Sequence, residues 1–149
     1  MRNLFIAFGL MALCVTIHAL GLTRALRWLD RAGDRPRSFL RWTVVLIAIA
    51  GWTVLVHVVE IAVWAVFFVW TEGLPDLSTA LYFSAVTYTT TGYGDLLLPE
   101  SWRLVGAIEA LTGILMCGWS TGFFFAVVSR ANEQRARERE ENAIGGRSR

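Results

Sequence analysis

Three long apolar runs decide most of what this chain can become. Asn3 to Thr23 supplies about twenty apolar residues, enough for one bilayer crossing as a helix. Trp42 to Trp70 is longer than a straight crossing needs, so it must tilt or begin within the interface, with Trp42 and Trp70 as boundary aromatics. Leu104 to Val128 is the third span. With 55% hydrophobic residues and a mean hydropathy of +0.50, the chain has too little polar surface for a soluble globule. The two cysteines, Cys14 and Cys117, fall inside these spans and read as small apolar packing residues rather than a disulfide or metal site.

Charge orients the spans. All fourteen basic residues are arginine. Arg24, Arg27, Arg31, Arg35, Arg37 and Arg41 separate the first two spans, and Arg130, Arg135, Arg137, Arg139, Arg147 and Arg149 follow the third. The positive-inside rule puts both clusters in the cytoplasm and the N-terminus outside. A cleaved signal peptide, with Arg2 as its basic region and His18-Ala19-Leu20-Gly21 as a poor cleavage site, is the competing reading; the arginines just beyond resist translocation, so an uncleaved helix fits better. Leu22, Leu26 and Leu29 recur at helical spacing, continuing the first helix along the interface. There Arg24, Arg27 and Arg31 meet anionic head groups. These three arginines are not read as a voltage sensor, because Asp30 and Asp34 interrupt the series outside the apolar span. Gly33 to Ser38, with Pro36, is the expected turn into the second span.

Between the second and third spans the chain carries a short apolar, hydroxyl-rich segment from Ser78 to Tyr88 and then Thr89-Thr90-Thr91-Gly92-Tyr93-Gly94-Asp95. Ser78 is the expected N-cap of a short helix ending at Tyr88, and Pro99 marks a turn after the loop. Irregular backbone at membrane depth is tolerated only where protein buries it or where it lines water. Gly92 and Gly94 permit positive φ without a Cβ clash, which suits a backbone whose consecutive carbonyls face one axis.

Several residues inside the spans carry their own expectations. His57 and Glu60 lie one helical turn apart, where ionisable groups are costly and default to function. A mutual hydrogen bond, or one to a hydroxyl of the short helix, is the first reading and a proton sensor the second; without further ligands the pair supports no metal site. Glu109 is expected to face the back of the short helix and bond its hydroxyls rather than face a cavity. Gly113, Gly118 and Gly122 punctuate the third span as bending points, Gly113 first, or as close-packing positions. From Arg130 to Glu141 a charged helix is expected, with Glu133 and Arg137, and Arg137 and Glu141, at i,i+4; Ile144 to Arg149 is expected to be disordered.

Thr90 to Gly94, TTGYG, resembles the potassium-filter sequence TVGYG. Tyr82-Phe83-Ser84 and Thr87 through Asp95 are similar to the pore helix and filter of small prokaryotic and two-pore-domain potassium channels. Ile108-Glu109-Ala110-Leu111-Thr112-Gly113 and Ser120-Thr121-Gly122 are similar to inward-rectifier inner helices. The resemblance covers Trp42 to Arg130. It implies an outer helix (42–70), a re-entrant pore helix (78–88), a filter (89–95) and an inner helix (104–130), closed as a four-fold homotetramer because one loop cannot make a ring of carbonyls; with the first apolar span added, an all-α membrane protein with three transmembrane helices is expected. Residues 1–23 form an extra first helix outside the resemblance, 24–41 a basic interfacial segment and 131–149 a charged tail.

The implied function is passive, potassium-selective conduction through a bacterial-type inner membrane, with Thr90, Thr91, Gly92, Tyr93 and Gly94 as the ion-binding stretch, K+ as permeant ligand, no cofactor, no enzyme activity and no nucleic-acid partner. The carbonyls of Thr90, Thr91, Gly92 and Tyr93 and the Thr90 hydroxyl are the implied ion ligands. Three departures stand out. Thr91 replaces the usual valine or isoleucine. Phe83 and Val86 cannot make the polar contacts that tryptophan and glutamate make behind some filters, so Tyr82 with Asp95 is the expected substitute. No cytoplasmic gating domain is visible. The rivals are a non-selective monovalent cation channel, and a non-conducting sensor or accessory subunit using His57, Glu60 and Glu109.

Overall fold

The structure, a computed structural model, describes residues 2–31 and 39–147. Every regular element among them is helical: α1 (Arg2–Arg31), α2 (Phe39–Trp70), α3 (Leu77–Tyr88), a 3-10 turn (Glu100–Trp102) and α4 (Arg103–Arg147). Three segments are long and apolar enough to cross a bilayer, Arg2–Arg31, Trp42–Trp70 and Glu100–Glu133, as expected of a multi-pass membrane protein. The turn expected at Gly33 to Ser38, with Arg35, Arg37 and Pro36, lies outside the described residues.

The chain forms two compact units, Met1–Cys117 and Gly118–Arg149. In the first, α2 packs against α1 on one side and α3 on another. Gly21 lets α1 approach α2 closely, since a Cβ there would stand 2.6 Å from a Val56 methyl, and the Trp52 indole donates to the Gly21 carbonyl at 2.9 Å. At the opposite end of α1 the Asn3 amide donates to the Ser101 carbonyl at 2.9 Å. The core gathers Cys14 from α1, Trp64 and Phe68 from α2, Tyr88 from α3, and Val105 and Met116 from α4. Edge-to-face rings, Phe67 on Trp102 and Phe68 on Phe83, both with centroids 5.5 Å apart, complete it near the outer loops. The two cysteines form no disulfide with one another, Cys14 being buried and Cys117 exposed.

The second unit is the remainder of α4. Among the described residues Ser120, Phe123, Val127 and Ala131 are its buried positions, spaced by three or four residues along one stripe. The helix runs on across Gly145 and Gly146 to Arg147, where the sequence reading expected disorder from Ile144 onward. A helix already propagating adds one hydrogen bond for each residue fixed, and two glycines weaken it without ending it. The expected pairs of Arg137 with Glu133 and Glu141 involve side chains outside the described residues.

Candidate functional site

The short helix α3 is held at both ends by specific hydrogen bonds. Its N-cap is Asp76, two residues before the expected Ser78: the Asp76 carboxylate accepts from the Thr79 amide at 2.9 Å and from the Thr79 hydroxyl at 2.7 Å. These two donors hold the Asp76 carboxyl below the usual carboxylate range. A carboxylate is the stronger cap because it also meets the positive end of the helix dipole. In the preceding loop the residue at positive φ is Glu72 (φ 54), and the amide of the neighbouring Gly73 closes back on the Phe68 carbonyl at 2.8 Å.

At the other end, α3 passes straight into the loop. The Thr91 amide donates to the Val86 carbonyl at 3.0 Å and the Thr90 amide to the Thr87 carbonyl at 2.9 Å. This paired 6→1 and 5→2 arrangement is a Schellman cap, with Thr90 in the left-handed position that usually belongs to glycine. Thr90 has φ 59, Gly92 φ 57 and Gly94 φ 74, while Thr91 and Tyr93 keep negative φ. Alternating hand along a strand puts successive N–H groups on one side and, in consequence, successive carbonyls on the other. The Thr91 hydroxyl, the departure in this loop, lies 2.9 Å from the Thr89 hydroxyl, which itself donates to the Ala85 carbonyl at 2.7 Å. Residues 89–95 are exposed on the single chain, Tyr93 by 71%.

Of the expected supports, Tyr82 and Asp95 come together: the Tyr82 hydroxyl donates to Asp95 Oδ2 at 2.8 Å, bridging α3 to the end of the loop. Phe83 makes an apolar edge contact with Phe68 instead of a polar one. Glu109 lies fully buried with the Ser84 hydroxyl of α3 as its polar neighbour, close enough to favour the carboxylate, but among the described residues neither of its oxygens, nor that hydroxyl, makes a well-formed hydrogen bond. The expected bond to a pore-helix hydroxyl is therefore approached and not closed.

Gly113 also receives a reason different from the one ranked first. A Cβ on it would lie 2.6 Å from the Tyr88 carbonyl carbon and closer still to the oxygen, and α4 is unbroken through it. It is a close-approach glycine against the C-terminus of α3 rather than an evident bend. Gly118, the other expected hinge, has nothing among the described residues within 4 Å of such a Cβ.

The pair His57 and Glu60 proves to be half of a larger cluster. His57 Nδ1 is 3.3 Å from Glu60 Oε2, and His18 of α1 brings its Nδ1 to 3.0 Å from Glu60 Oε1. The Tyr88 hydroxyl donates to Glu60 Oε2 and lies 3.2 Å from His57 Nδ1. Glu60 and His18 are wholly buried. The Tyr88 bond fulfils the alternative of a pore-helix hydroxyl, and the histidines supply the rest. His18 was missed because a lone histidine in an apolar run has no local partner; its counterpart is 42 positions away.

The ion channel family matches residues 54–130, just over half of the chain, from within α2 through the loop and into α4. No curated protein and no solved structure gives a match. The matched segment is the one that holds α3, the TTGYG loop and their flanking spans, and α1 with His18 falls outside it. The family is one of channels rather than enzymes. This chain belongs to the ion channel family and carries its two-transmembrane-helix, potassium-channel type of pore module.

Proposed function

We propose that four copies of this chain form a potassium-selective channel, with Thr90, Thr91, Gly92, Tyr93 and Gly94 as the filter and K+ bound by the carbonyls of Thr90 to Tyr93 and the Thr90 hydroxyl. The observation that carries this reading is Thr90 in the left-handed conformation, alternating with Gly92 and Gly94. Glycine would cap α3 there without strain, whereas threonine costs about 1–2 kcal/mol. Such strain persists where a side chain is wanted for itself, and a hydroxyl at the innermost rung adds an oxygen ligand. The exposure of residues 89–95 on one chain supports assembly, because irregular backbone at membrane depth must be covered by protein or line water.

Thr91 supports selectivity rather than undermining it. Its hydroxyl is bound within the loop by Thr89, so the departure from valine adds a tether behind the ion sites. Tyr82 and Asp95 act as the outer support. By charge, the loop's entry faces outside and both arginine clusters face the cytoplasm. Arg24, Arg27 and Arg31 then meet anionic lipid, with a cavity of about 330 Å3 between Arg24, Trp28 and Trp52 offering acyl-chain contact.

Flux from liposomes under potassium, rubidium and sodium gradients tests this. Potassium and rubidium flux without sodium flux, abolished by Gly92→Ala, is expected. Sodium flux of equal size refutes selectivity, and the absence of all flux favours a non-conducting subunit.

A further inference from the structure

The only two histidines in the chain, 39 positions apart, lie with their rings 5.1 Å apart, and both present Nδ1 to the same buried carboxylate. His18 comes from α1, His57 and Glu60 from α2, and Tyr88 from the last turn of α3. One donor atom from each of His18, His57 and Glu60 lies within 4.8 Å of the others. We propose that His18, His57 and Glu60 form a binding site for a zinc-class divalent cation, with the Tyr88 oxygen in reach of the fourth position. The site is independent of what the pore conducts.

Geometry and donor chemistry both point to this class. Ligands at about 2.0–2.1 Å from a tetrahedral zinc ion stand roughly 3.3–3.4 Å from one another. The contacts here are 3.0 Å from His18 to Glu60, 3.3 Å from His57 to Glu60 and 3.2 Å from His57 to Tyr88. The two imidazoles meet different oxygens of Glu60, Oε1 and Oε2, and rotation of these side chains would bring three donor atoms that lie within 4.8 Å of one another onto one ion. Two imidazoles and one carboxylate are a donor set that zinc accepts, whereas calcium and magnesium call for six or more oxygens. His57 and Glu60 are spaced i,i+3, so one helix face presents two ligands and α1 completes the set.

The surroundings add a reason for a cation. Glu60 is a carboxylate inside an apolar span, where unpaired charge is costly, and among the described residues the basic groups that reach it are the two imidazoles. A divalent ion would supply the missing positive charge. It would also tie α1, which lies outside the channel family's matched segment, to α2 and to the residue that immediately precedes Thr89 and the loop. The first helix thereby becomes a clamp on the filter's foundation.

The test uses full-length, tag-free protein expressed with added Zn2+ or Co2+, purified in detergent and dialysed. About one ion per chain is expected by elemental analysis, and the cobalt form should show the intense visible bands of tetrahedral coordination. His18→Gln and Glu60→Gln, which keep hydrogen-bonding capacity, should lose at least nine-tenths of the bound ion while retaining helical circular dichroism. His18→Cys should restore binding and add a sulfur-to-cobalt charge-transfer band, which a purely hydrogen-bonded cluster would not do. Wild-type protein free of metal, or equal metal content in His18→Gln, overturns the proposal. Potassium flux measured in parallel on the same samples separates failure of this site from failure of the pore.

Discussion

Two carboxylates are buried in the same unit of this chain, and they are treated in opposite ways. Glu60 receives His18, His57 and Tyr88 on its two oxygens; Glu109 has, among the described residues, only the nearby Ser84 hydroxyl and no well-formed hydrogen bond. Both are inaccessible to solvent on the single chain. The difference teaches that burial alone does not assign a role. Glu60 is the hub where α1, α2 and α3 meet, so its removal orphans three donors. The polar group of α3 beside Glu109 is the Ser84 hydroxyl, and among the described residues its removal breaks no well-formed hydrogen bond.

Substitutions in metal-stripped protein can break this contrast, with unfolding followed in mixed micelles. The largest effect is expected from replacing His18 and His57 together by leucine with Glu60 kept. An uncompensated buried charge costs about 3–5 kcal/mol, so the unfolding midpoint should fall steeply. If it does not move, Glu60 is no hub. Tyr88→Phe removes one donor and should cost about 1–3 kcal/mol, while leaving both imidazoles in place. Glu109→Leu reverses the sign: exchanging an unpartnered buried acid for an apolar side chain should be neutral or stabilising by up to about 1–4 kcal/mol. A loss as large as that of Tyr88→Phe would show that Glu109 has a partner beyond the described residues of the single chain.

The smallest effect concerns an exposed carboxylate, Asp76, which calibrates the buried pair. Its folded-state pKa is depressed by Thr79, so its contribution is present above the unfolded pKa and is lost as pH falls through the folded one. Asp76→Asn keeps a cap acceptor and should remove that acid-side dependence with little change at neutral pH. An unaltered acid limb would assign the dependence to other groups.

Much of this architecture is legible in the residues themselves. Three spans follow from apolar length, and TTGYG with its glycines predicts the positive φ found at Gly92 and Gly94. The pairing of Tyr82 with Asp95 also follows once Phe83 and Val86 are seen to lack polar groups. What escaped depends on distance in sequence or on competition between neighbours. His18 reaches Glu60 only after α1 and α2 have packed, and no local pattern encodes that contact. Asp76 and Ser78 are both good caps, and choosing between them requires the backbone turn at Glu72. Gly113 reads equally well as bend or close contact until Tyr88 is placed against it.

The Val86 carbonyl accepts from two amides of the loop, Thr91 at 3.0 Å and Gly92 at 3.2 Å. The last turn of α3 and the first rungs of the loop are thus one mechanical piece, sharing a single acceptor. Any rearrangement that swings the Gly92 peptide must first loosen the helix end, so the two cannot fluctuate independently. Deuterium should enter the Thr91 and Gly92 amides together, and more slowly than those of Tyr93 and Gly94. A loop built this way rearranges only by fraying a helix.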